Sequence, residues 1–211
     1  MELTLSLAGI LGVLLIGAIS PGPSFILVAR TAIAVSRFDG LMAALGMGVG
    51  GIIFSLVVLL GIKAVFASVP LLYIALKLTG GFYLIYLALR IWHGAKEPTA
   101  ITLSENGMRR SAGKSFALGL VTQLSNPKTA IVYGGIFAAF LPSDLPRSAV
   151  VSLPFLVFAV EAGWYSLVAL ALSTESSRAA YLRSKVHIDR IAGGVMGLLG
   201  LKLVVSVRPT P

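Results

Sequence analysis

Two short strings interrupt apolar stretches of membrane length: Ser20-Pro21-Gly22-Pro23 and Ser125-Asn126-Pro127-Lys128. A proline inside a helix removes one backbone hydrogen bond and presses on the carbonyl four residues back. At membrane depth the freed groups have no water to bond, so such breaks persist only where protein buries them or a polar cavity receives them. In the first string, Pro21 and Pro23 lack N–H groups and Gly22 permits backbone forms closed to other residues. The carbonyls of Gly17, Ala18 and Ile19 are then left short of partners, able to face a ligand ammonium or a cation. In the second string, Lys128 puts a charge near the middle of an apolar stretch, where insertion costs about 2.5–3.5 kcal/mol or more and a residue of this kind marks a cavity or a substrate path. Asn126 both donates and accepts, which suits it to bridge the broken backbone to a substrate carboxylate.

Glu161 is the one acidic residue read as lying well inside an apolar stretch, with Trp164 and Tyr165 close behind it. A spacing of three sets Glu161 and Trp164 on one helix face. A carboxyl at that depth can exchange a proton, pair a substrate ammonium, or stand as the static partner of Lys128. Asp39, beside Arg37, reads as part of a solvated turn with a possible gating role. One enzyme reading starts from Gly22-Pro23-Ser24 as a nucleophile site with His187 as its base. It fails on context, because His187 sits in a charged stretch and no second glycine follows the serine.

These residues need elements to hold them, and the composition says where those elements lie. The chain has 211 residues, 57% hydrophobic and 12% charged, with a mean hydropathy of +0.95. Soluble domains carry about 25% charged residues, so this chain belongs in a bilayer. Its apolar residues run continuously rather than alternating, which excludes an outer-membrane β-barrel. The net charge is +9, but no basic-aromatic stripe suggests nucleic acid, and the cations gather between apolar segments. The absence of cysteine rules out disulfides and thiolate metal sites. Two histidines, His93 and His187, are too few for a metal cluster, so neither metal nor cofactor is expected. No cleavable signal is evident after Met1-Glu2-Leu3.

With about 20 apolar residues needed per crossing, six spans are predicted: 4–29, 41–66, 71–92, 115–140, 149–173 and 189–207. The first and fourth are the broken ones. The first repeat is 1–93, the polar linker 94–114, with Lys96, Glu97, Pro98, Glu105, Arg109 and Arg110, and the second repeat 115–211. Arg30, Arg37, Arg90, Lys96, Arg109, Arg110, Lys114, Arg178, Arg183, Lys185 and Arg190 fall in odd-numbered connections, against Lys63, Arg147 and Arg208 on the other side. That bias puts the odd connections in the cytoplasm and both termini outside.

The halves echo each other. Gly80-Gly81 matches Gly193-Gly194, Ser55-Leu56-Val57 matches Ser166-Leu167-Val168, and Pro21 pairs with Pro127. Three spans per half force the second half in upside down, a 3+3 inverted repeat like those of many secondary transporters. The small residues Ala43, Gly46, Gly50, Ala44 and Gly48 read as close-packing faces. Glycine-rich faces are also compatible with a homodimer.

The two proline strings, with Glu161 followed by Trp164-Tyr165 and the glycine-led third and sixth spans, resemble the LysE/RhtB superfamily of bacterial amino-acid exporters. The likeness covers nearly the whole chain. Members more often carry aspartate in the fifth span, so Glu161 departs by one methylene. The resemblance implies a multi-pass protein of the bacterial inner membrane, not an enzyme, that exports an amino acid or derivative from the cytoplasm, driven by protons. Substrate binding is then expected at Ser20, Pro21, Gly22, Pro23, Asn126, Pro127, Lys128, Trp164 and Tyr165. Proton coupling is expected at Glu161, with Lys128 as counter-charge. A transporter of another small solute, or a non-transport membrane protein, are the competing expectations.

Overall fold

A computed structural model describes residues 2–68, 70–96, 111–141 and 145–206. Every regular element among them is an α-helix: α1 (Glu2–Ile19), α2 (Pro23–Ala34), α3 (Arg37–Ser68), α4 (Pro70–Gly94), α5 (Ala112–Ser125), α6 (Pro127–Phe140), α7 (Arg147–Ala171) and α8 (Glu175–Val205). Both predicted breaks are present. The first separates α1 from α2 with a 59° bend, and the second separates α5 from α6 at Asn126. Most of the predicted linker, 97–110, lies outside the described residues, as do Pro142-Ser143-Asp144, Arg208 and the side chains of Lys63, Lys77 and Pro127.

Among the described residues, Arg37–Gly61 and Arg147–Ala171 are each long and apolar enough to cross a membrane, and the bent α1–α2 pair makes a third such unit. The sixth predicted segment differs most from expectation. Its helix starts at Glu175 rather than near 189, leaving only 172–174 between α7 and α8. No glycine or proline falls between Thr174 and Gly193, so nothing in that stretch stops a helix. An apolar window misses it because the first turns are charged.

Glycines set how closely the helices approach. A Cβ on Gly46 would run into the Phe116 carbonyl, and one on Gly119 into the Ala43 carbonyl, so α3 and α5 touch backbone to backbone. One turn on, a Cβ on Gly50 would lie 2.7 Å from Gln123 Cγ. On another face of α3, Gly48 abuts Phe158 and Ala162 of α7. The small residues of α3 thus serve the packing role expected of them. Gly81 of α4 and Gly200 of α8 form a second close crossing.

The apolar core falls into two clusters. One gathers Ile10, Leu14, Leu84, Val132, Tyr133, Phe137, Leu153 and Met196. The other gathers Ala18, Phe25, Val28, Met47, Tyr165 and Val168. The polar residues of the two breaks lie where these clusters meet, since Leu14, Val132 and Tyr133 of the first and Ala18, Phe25 and Tyr165 of the second line one cavity with them.

Candidate functional site

The breaks restart their helices in the same way. Pro23 is the first residue of α2 and follows Gly22, and Pro127 is the first residue of α6 and follows Asn126. Proline suits that position because its missing N–H has no intrahelical acceptor there anyway. The structural counterpart of Pro127 is therefore Pro23, not Pro21 as the sequence pairing has it. Pro21 instead widens the first gap to three residues, Ser20–Gly22.

The residue after each proline crosses to the other half. Ser24 donates from Oγ to Gln123 Oε1 at 2.9 Å and accepts from Asn126 Nδ2 at 3.0 Å. Lys128 Nζ donates to the carbonyls of Gly17 and Ser20, both at 3.1 Å. Trp164 Nε1 donates to the Ala18 carbonyl at 3.0 Å. The carbonyls freed at the end of α1 were expected to wait for a ligand, but Lys128 and Trp164 hold three of that region. The cause is electrostatic: the end of a helix carries partial negative charge on its last carbonyls and attracts a cation.

Asn126 also departs from its expected role. Its Oδ1 accepts from the backbone N–H of Lys128 at 3.0 Å, capping α6, and its amide nitrogen goes to Ser24. A helix N-terminus lacks partners for its first N–H groups, and an asparagine oxygen supplies one.

Glu161 is buried, and its Oε1 accepts the Tyr133 hydroxyl at 2.9 Å. No ion pair joins it to Lys128, although both line the cavity. Among the described residues its second oxygen, Oε2, is buried without a hydrogen bond of full geometry, and the Gln123 side chain lies close to the carboxylate. Gly51 of α3 makes room for this pair, since a Cβ there would come within 2.9 Å of the Tyr133 hydroxyl. The cavity walls are Leu14, Gly17, Ala18, Ser20, Gly22, Ser24, Phe25, Asn126, Lys128, Thr129, Val132, Tyr133, Glu161 and Tyr165. Its volume is about 30 Å³, room for about two waters. As the side chains stand, the polar groups of the site bond one another and leave little free space between them.

Of the residues expected at a site, Ser20, Gly22, Asn126, Lys128, Glu161 and Tyr165 line this cavity together. Pro21 and Pro23 shape the break without lining it, and Trp164 acts from outside through Ala18. Three participants escaped the sequence reading, Gln123, Thr129 and Tyr133, and Ser24 was weighed there only as a nucleophile. Ser24 and Gln123 had a legible signal, one as the residue after a proline, the other as an amide in an apolar stretch.

A second polar cluster was misread. Lys185, counted among the cations of the last cytoplasmic connection, and Asp189, in the same charged stretch, are both buried on α8 and form an ion pair at 2.9 Å. Lys185 Nζ also donates to the Gly94 and Ala95 carbonyls at the end of α4, at 3.3 and 3.0 Å. Ser20 Oγ reaches Asp189 Oδ1 at 3.4 Å, tying the cluster to the first break. Asp39 is likewise buried rather than solvated. Ser36 caps α3 by accepting the Asp39 N–H at 3.0 Å, and the Asp39 carboxylate accepts the Ser36 hydroxyl and, at 2.8 Å, the Ser115 hydroxyl of α5. The enzyme reading finds no support, because Ser24 bonds to two amides and His187 is exposed.

Apolar helices that meet at two breaks around buried polar groups define a class: a helical membrane protein with interrupted helices. The particular family follows from comparison. Residues 15–207 match the LysE type translocator model, and the chain belongs to that family. It is 30% identical over 193 residues to the threonine efflux protein of Salmonella typhi, covering 91% of this chain and 94% of that one. It is 28% identical to the threonine efflux protein of Escherichia coli strain K12, over the same shares of both chains. It is also 26% identical to the uncharacterised membrane protein YahN of that strain, over 92% of this chain and 86% of the other. No solved structure matches the chain. The protein is therefore a membrane translocator and not an enzyme.

Proposed function

We propose that this translocator exports a small neutral amino acid of the threonine kind from the cytoplasm, exchanging it for protons across the bacterial inner membrane. Its architecture on this reading is six spans in a 3+3 inverted repeat, with α1–α2 and α5–α6 as the broken spans, odd connections in the cytoplasm and both termini outside. The polar linker 94–114 joins the two repeats.

One observation carries the reading: the ends of both broken helices converge on a single cavity that also holds a lysine and a buried carboxylate. The N-termini of α2 and α6 favour a carboxylate and the C-terminus of α1 favours an ammonium. Those are the two charges of an amino acid. Glu161, with one oxygen on Tyr133 and the other without a hydrogen bond of full geometry, is the group of the cavity suited to take and release the coupling proton. The names of the threonine efflux relatives support the cargo class.

The test is accumulation of radiolabelled amino acids in everted vesicles with and without an imposed proton gradient. Gradient-dependent accumulation of threonine or a close analogue is expected. Glu161→Gln should abolish the gradient-driven component and leave amino-acid exchange in place. Full gradient-driven accumulation in that variant would remove Glu161 from the coupling role.

A further inference from the structure

The ammonium of Lys128 sits in chemistry that suits a substrate ammonium. It spends two of its three donors on the Gly17 and Ser20 carbonyls at the negative end of α1. It reaches them across the first break, over Gly22. A Cβ built there would find Lys128 Cδ and Nζ as its nearest neighbours, both at 3.5 Å. The Lys128 backbone is fixed, because Asn126 caps its N–H. Only the flexible side chain is free to swing. An acceptor for it lines the same cavity: Glu161 Oε2, buried and without a hydrogen bond of full geometry among the described residues.

We propose that Lys128 is a built-in competitor for the substrate's α-ammonium. The carbonyls of Gly17 and Ser20 form the ammonium subsite, and an amino acid enters by displacing Lys128 Nζ from them. This inference rests on the export reading of the site and says how that site is gated. In the empty state the lysine satisfies the end of α1 and fills the subsite. In the loaded state the substrate ammonium takes over both carbonyls and Lys128 pairs with Glu161. A zwitterion adds no net charge to the buried site during this exchange. A bare amine adds an uncompensated positive charge next to Lys128, so the wild-type protein discriminates against it. A tethered competitor also lowers apparent affinity, because only the fraction of molecules with the lysine displaced can bind. That property suits an exporter, which must release its cargo.

Equilibrium binding to purified full-length protein tests this, using the tightest binder of a panel of radiolabelled amino acids, threonine first, and n-propylammonium as competitor. Lys128→Ala should bind the amino acid about tenfold more tightly than wild type, since the competitor is gone. n-Propylammonium should displace the label from Lys128→Ala and not from wild type, and should raise the thermal unfolding temperature of that variant alone. Where Lys128→Ala does not fold, Lys128→Gln carries the same test, because its amide keeps one hydrogen bond to the carbonyls and has no charge. Equal or weaker binding by the folded variant would make Lys128 a direct ligand or a structural strut and overturn the proposal, as would indifference to n-propylammonium. If folded wild-type protein binds no amino acid at all, the export reading itself fails and the inference falls with it.

Discussion

The two helix breaks solve one problem in opposite ways. The break at Asn126 is one residue wide and caps itself: Asn126 Oδ1 holds the Lys128 N–H, and Ser24 holds the Asn126 amide. The break at Ser20–Gly22 is three residues wide and bent by 59°. Gly22 offers α2 no side-chain cap, and the loose carbonyls before it are held by residues of the second half, Lys128 and Trp164. The surroundings follow the same division. The second break follows α5, which is locked to α3 through Gly46 and Gly119. The first break leans on side chains of the other half. One break is capped within its own segment by Asn126, and the other is held from the second half by Lys128 and Trp164, which is the contact that the proposed displacement of Lys128 would release.

Four substitutions and two comparison variants probe that contrast, read by thermal unfolding of purified protein. The largest effect is expected at the seam behind the self-capped break. Gly119→Val drives a branched side chain into the Ala43 backbone and should cost about 1–3 kcal/mol or more. Gly163→Ala, which has open space around it, serves as its control and should stay near wild type. Asn126→Ala removes the cap of α6 and should cost about 0.5–2 kcal/mol, and Asn126→Asp should not restore it, because its oxygen still accepts from the Lys128 N–H but the donor to Ser24 is lost and a carboxylate is buried. Trp164→Phe keeps the ring and removes its N–H from the Ala18 carbonyl, at a cost of about 0.5–1.5 kcal/mol. Gly22→Ala should be smallest, within about 0.5 kcal/mol. Gly22 has an extended backbone and an added Cβ meets Lys128 at ordinary contact distance. If Gly22→Ala proves more damaging than Asn126→Ala, the contrast between the self-capped and the borrowed break is reversed.

Much of this was legible from residue order because its causes are local. Proline ends a helix wherever it stands inside one, so both breaks could be placed from the chain alone. A lysine and a glutamate in apolar stretches need polar company, so Lys128 and Glu161 could be assigned to one interior site before their neighbours were known. The small residues of α3 announced a close approach, though not that α5 would be the helix on Gly46. Where local pattern misled, the partner was distant. Asp39 looks solvated until Ser115 comes to it from α5, and Lys185 looks like a loop cation until the end of α4 arrives to use it.

Sequence by itself determined that this is an all-α membrane chain with two interrupted apolar segments and a few costly polar groups at depth. Those follow from composition and from what proline does to a backbone. Tertiary structure alone decided which polar group meets which. Lys128 finds the Gly17 carbonyl 111 residues away, Ser24 finds Gln123 99 residues away, and Glu161 takes Tyr133 in place of Lys128. No periodicity encodes such pairings. They are fixed when helices pack at distances their glycines allow, and each buried donor then takes the acceptor that packing leaves within reach.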